Sequence, residues 1–146
     1  MSDDPPPFPK RLLLWYERML LAMLAVMLLS LLAVASGLTP STQGMGTHQQ
    51  MGLPPCTFAT QFGMRCPSCG MTTSWSHLMN GNLFGSVKVN SAGCLLGILA
   101  VITGPWALVS AIRGTWAYGP PSERLLISVT IVVVLVTIID WLFRIL

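Results

Sequence analysis

Three long apolar runs constrain this chain more than any other feature. Met19–Ser36 carries no charge, and Leu12–Tyr16 extends it on the N-terminal side, interrupted only by Glu17 and Arg18. Ser91–Ile112 is a second charge-free run, and Leu125–Leu146 is a third, with Asp140, Trp141 and Arg144 near its end. About 20 apolar residues, each rising 1.5 Å along a helix, cross roughly 30 Å of hydrocarbon. Each run is long enough. The predicted fold is therefore an all-α integral membrane protein with transmembrane helices over 12–36, 91–112 and 125–146. Charge supports this, because 9% of the residues are charged, against about 25% in a soluble domain. The lipid bilayer is thus the first partner. The net charge of +3 is scattered, whereas nucleic-acid binding needs a dense basic patch. No internal repeat suggests a solenoid or a duplicated transporter.

The segments between the runs fall into place around them. Residues 1–11 are a proline-rich polar tail, expected as an extended arm because consecutive prolines resist helix. Ala33-Val34-Ala35 resembles a small-residue cleavage site, but the run containing it is long enough to span and is taken as an anchor. Gly37 and Pro40 end it. Pro105 removes one hydrogen bond from the second span and predicts a kink. A short link, 113–124, supplies Ser122 as a cap for the third span. Lys10, Arg11, Arg18, Arg113 and Arg124 lie on one side, against Arg65, Lys88 and Arg144 on the other. The excess predicts a cytoplasmic N-terminus and a periplasmic 37–90 loop in a bacterial inner membrane.

That loop is too poor in charge to be free coil. Leu38, Met45, Met51, Leu53, Phe58 and Phe62 need burial, so it should lie against the spans or a partner. Met71, Trp75, Leu78 and Met79 share one helical face, predicting a short amphipathic helix over 71–80 closed by Gly81. A second is expected over 83–88, capped by Asn82, with Asn90 or Ser91 capping the next span. Both would lie in the interface plane or pack as a lid. Thr72, Thr73, Ser74 and Ser76 could bind a polar ligand, and the stronger expectation is that they cap the helix start after Gly70.

The chemistry concentrates between Cys56 and His77. Cys66-Pro67-Ser68-Cys69-Gly70 places two thiols on one tight turn, with a glycine free to take positive φ. Cys56 can add a third sulfur. His48 is the expected fourth ligand of a structural zinc site, with His77 as the alternative. His77 lies two helical turns beyond Cys69, about 11–12 Å along the axis. A disulfide joining Cys56 to Cys66 or Cys69 is the competing arrangement outside the cell. A redox-active C-x-x-C remains a further option, because Cys69 opens a helix. Cys94 lies within the second span and is expected to be a small buried residue. Asp140 and Arg144 are spaced i,i+4 and are taken as an interfacial ion pair.

GTHQQMGLPPC, followed by GMRCPSCGMTTSWSHLMNGNL, resembles a small bacterial membrane family known as domain of unknown function 2752. The likeness covers about residues 44–112 and rests on the C-P-x-C-G-M-T core. Many members carry a basic residue where this chain has Thr73. The resemblance implies a membrane location and a cysteine core, places His48 in the matched approach, and implies no activity. The expected function is a small non-catalytic accessory or scaffold subunit, with other membrane-protein subunits as partners and a zinc or disulfide site in its loop. The alternatives are a membrane protein with a functional metal site and a membrane thiol–disulfide oxidoreductase.

Overall fold

Each apolar run folds as one helix, and Cys56, Cys66 and Cys69 lie between the first and second. The computed structural model describes residues 12–146, and the proline-rich tail lies outside the described residues. The helices are α1 (Trp15–Gly37), α2 (Thr57–Phe62), α3 (Met71–Met79), α4 (Leu83–Val89), α5 (Ser91–Arg113) and α6 (Glu123–Ile145), with a 3-10 turn at Thr47–Met51. α1, α5 and α6 are each 23 residues long and apolar enough to cross a membrane. No strand occurs among the described residues, and a lone bridge pairs Leu12 with Thr115. The caps are local chemistry. Asn82, Asn90 and Ser122 accept from the backbone N–H groups of Gly85, Gly93 and Leu125 at the starts of α4, α5 and α6. Pro105 lies inside α5, which continues through it.

α1 and α5 form the central seam. Lipid is as apolar as leucine, so helices associate in it through close packing, and small residues permit the closest approach. Ala25 of α1 meets Ala107 and Ala111 of α5, with Leu13 and Leu21 beside them. Gly104 faces Leu29 so closely that an added Cβ would stand 3.1 Å from its Cδ2. At one end of the seam Arg18 donates from Nε to the Ala111 carbonyl at 2.7 Å and from Nη2 to Ile112 at 3.3 Å. It satisfies carbonyls that the end of α5 leaves unpaired. Trp106 and Trp116 stack nearby, with ring centroids 5.6 Å apart. α6 differs, since none of its residues is buried. It lies outside the seam.

At the opposite end the loop forms a lid held by hydroxyl groups. Thr73, Ser74 and Ser76 of α3 are fully buried, as are Thr47, Ser86 and Asn90. They do not cap α3, contrary to expectation. Thr73 and Thr47 share a hydroxyl hydrogen bond of 2.8 Å. The Ser74 hydroxyl sits 2.8 Å from that of Ser86, 3.0 Å from the Ser86 carbonyl and 3.1 Å from the Asn90 carbonyl. The Ser76 hydroxyl donates to the Leu38 carbonyl. Small hydroxyls fit between closely packed backbones and satisfy them, so α3 buries the face that composition alone would turn to water. Its other face also packs, with Trp75 donating from Nε1 to the Gly93 carbonyl at 2.8 Å. The loop's larger apolar side chains divide. Phe58 is half-buried against Phe62. Met51, Leu53 and Phe62 stay exposed, so of the two coverings expected for them the spans do not supply theirs.

Candidate metal centre

Cys56, Cys66 and Cys69 converge from three local devices. Pro54-Pro55 delivers an extended chain to Cys56, which sits at the N-terminus of α2. Cys66 opens a turn closed by the Cys69 N–H on its own carbonyl at 3.0 Å. Gly70 then starts α3 at φ +86, where an added Cβ would lie 2.7 Å from the Gly44 carbonyl oxygen and 2.9 Å from Val89 Cγ1. Only glycine fits both the conformation and the space. The Cys66 N–H points forward to Cys69 Sγ at 3.3 Å.

The sulfurs of Cys66 and Cys69 are 3.1 Å apart, and those of Cys56 and Cys66 are 3.6 Å apart. All three lie within 4.8 Å of one another. Three sulfurs held tetrahedrally at about 2.3 Å from one zinc ion would be about 3.8 Å apart. The Cys66 sulfur is closer than that to both of the others, near enough for the three to share one ion after a small outward shift. All four cysteines are free thiols, and Cys94 is buried within α5. Burial, first, and then the Cys66 thiol push Cys69 up to about 12. The Ala59 N–H and the Cys69 thiol beside it draw Cys56 below its ordinary range.

Neither histidine belongs to the trio. His48 lines the same cavity, with Nε2 3.1 Å from the Pro54 carbonyl. His77 faces Asn82, at 3.5 Å from Nδ1 to Nδ2. What the sequence did not disclose is the support around the trio. Arg144, at the end of α6, donates to the Cys69 carbonyl at 2.7 Å and the Pro67 carbonyl at 3.0 Å. Trp141 donates from Nε1 to the Arg65 carbonyl at 2.8 Å. Asn90 reaches the Cys69 carbonyl from the start of α5, at 3.1 Å. Asp140 holds Arg144 at 2.7 Å, and its other oxygen accepts from the Ser91 hydroxyl and N–H. The expected ion pair exists, and it is also the clamp on the cysteine turn. The one available signal was an acid and an arginine inside an apolar helix. Their target lies some 75 positions earlier.

Residues 56–104 match the family model described as Protein of unknown function (DUF2752). This is the family that the cysteine core resembles. The matched segment contains the three thiols, α3, α4 and much of α5, and it leaves out His48 and the α6 clamp. No curated protein and no solved structure matches the chain.

Proposed function

We propose that this chain is a small membrane protein whose cysteine trio holds a thiophilic metal ion, zinc by ligand chemistry, and that it serves as a non-catalytic accessory subunit of a larger membrane complex. The convergence of three sulfurs within 4.8 Å carries the metal assignment. Thiolates suit soft or borderline ions. Once bound, such an ion supplies positive charge that stabilises the thiolates and ties the lid together. Cys56, Cys66 and Cys69 hold the ion, while Arg144, Trp141 and Asn90 fix the backbone between them.

The excess of Lys and Arg on the N-terminal side favours a cytoplasmic N-terminus, with the lid facing the periplasm of a bacterial inner membrane. Exposed Met51, Leu53, Phe62 and Met64 at the lid, and an α6 with no buried residue, support a protein partner beside the lipid. The test is metal analysis beside intact-mass spectrometry with thiol alkylation, on protein purified in mild detergent. Near one equivalent of zinc, with three thiols released on chelation, is the expected result. A metal-free Cys56 disulfide to Cys66 or Cys69 would overturn it. Affinity capture in the same detergent should retain a stoichiometric membrane partner, and a clean monomer would end the subunit assignment.

A further inference from the structure

Three thiolates leave a four-coordinate ion one ligand short. Structural zinc sites close that position with a fourth protein ligand, whereas sites that act on a molecule keep it open. Here none of the other described histidine, cysteine or acidic side chains joins the trio. His48 Nε2 is directed at the Pro54 carbonyl and His77 at Asn82. The three cysteines instead line a cavity of about 580 Å³, open at one side. Gln43, Gln49, Thr60, Ser68 and Thr72 supply its polar wall. That volume exceeds what one coordinated water needs and lies within the range of small-molecule sites.

We propose that the ion's fourth position opens into this cavity and takes an exchangeable, neutral small-molecule donor, with His48 on the wall rather than on the metal. The charge balance selects the ligand class. A divalent ion with three thiolates carries a net charge of −1. No Lys or Arg lines the cavity itself. Of the two guanidinium groups beside it, Arg144 is neutralised by Asp140 and Arg65 is bonded to the Gln43 carbonyl, so neither is a lining cation for a second anion. A neutral nitrogen, oxygen or thioether donor adds no charge. The amides and hydroxyls around it can bond to the remainder of the molecule, as the polar minority of a ligand pocket usually does.

This inference rests on the metal assignment, and the two can fail separately. The full chain, in detergent, is loaded with Co(II) and titrated with imidazole as the neutral probe and azide as the anionic one. Wild type, H48A and H48Q are compared. The visible Co(II) bands of the wild type are expected to shift with millimolar imidazole, to respond at least tenfold more weakly to azide, and to behave alike in both variants. A wild type indifferent to imidazole, beside an H48A protein that loses the spectrum and regains it with imidazole, would make His48 the fourth ligand and overturn the proposal. Indifference in all three proteins would also overturn it, by showing the position closed by another group. An equal response to azide would overturn the neutral-donor assignment. Failure to bind Co(II) with all three thiols reduced would remove the metal assignment itself.

Discussion

Two arginines do the same chemistry at opposite ends of this molecule. Arg18 of α1 donates to carbonyls at the end of α5 and secures the apolar seam. Arg144 of α6 donates to carbonyls of the cysteine turn and secures the lid. Arg18 is exposed. Arg144 is paired with Asp140, and their side chains are only 12% and 13% exposed. The seam closes on shape, through alanine and glycine in close contact. The lid closes on satisfied polar groups, each depending on the next. A seam built from many weak contacts tolerates one poor residue. A polar network does not, because each lost partner leaves a buried group unpaired. Substitutions of the same kind at the two ends should therefore differ in effect.

The widest gap is expected between two glycines. Gly70→Ala must hold a side chain at φ +86 with backbone oxygen 2.7 Å from the new Cβ. Conformational strain and overpacking together should cost roughly 2–5 kcal/mol. Gly104→Ala adds a methyl against the flexible Leu29 side chain at 3.1 Å, within an ordinary helix. Better helix propensity offsets much of that crowding, so its effect should stay within about 1 kcal/mol. Thermal unfolding in detergent reads both, and equal losses would dissolve the contrast between lid and seam.

The arginines come next. Arg144→Gln leaves Asp140 partly buried without its cation and frees the carbonyls around Cys69. A loss of roughly 2–4 kcal/mol is expected, below the figure for a fully buried pair because some solvent access remains. Faster zinc loss to a chelator should accompany it. Arg18→Gln removes exposed hydrogen bonds worth about 1 kcal/mol and should leave zinc release unchanged. Should chelator kinetics in Arg144→Gln match the wild type, α6 has no hold on the site.

These pairs also show what was legible from residues alone. Span positions follow from charge-free runs of sufficient length, a property each run carries locally. The caps at Asn82, Asn90 and Ser122, the glycine at 70 and the cysteine trio are local in the same sense. The clamp is not, because nothing near Arg65–Cys69 announces that Trp141 and Arg144 will supply donors from the end of the last helix. α3 misleads differently. Its periodicity marks one apolar face, yet Thr73, Ser74 and Ser76 are buried as well, because hydroxyls opposite backbone carbonyls are satisfied without water. Periodicity reports which side chains are apolar and is silent on which polar ones will find partners.

Hydroxyl deletions test that reasoning on a smaller scale. Ser74→Ala strips the bonds that join α3 to Ser86 and Asn90, for roughly 1–3 kcal/mol. Ser110→Ala, in the seam, loses one bond to the Trp106 carbonyl and one from the Ala117 N–H. It should cost about 1 kcal/mol. If Ser110→Ala is as damaging as Ser74→Ala by thermal unfolding, the hydroxyls of the lid have no special weight.

The gentlest comparison needs no substitution and sets lid thiols against Cys94, buried in α5. In reduced, metal-free protein at pH 8, Cys56 should be alkylated first, because the Ala59 N–H favours its thiolate. Cys69 should follow slowly. Its value of about 12 lies above the ordinary 9.0, so folding favours the protonated thiol. The sign follows from linkage. That stabilisation is fully present below pH 9 and is lost as the pH rises toward about 12, so both Cys69 labelling and loosening of the lid should increase over that interval. Cys94, 2% exposed inside α5, should resist labelling until α5 itself unpacks. Added zinc should protect the three lid thiols and leave Cys94 unchanged. Quantitative mass spectrometry of each cysteine reads all four rates, and Cys69 reacting as fast as Cys56 at pH 8 would show that the lid does not exclude water from its sulfur.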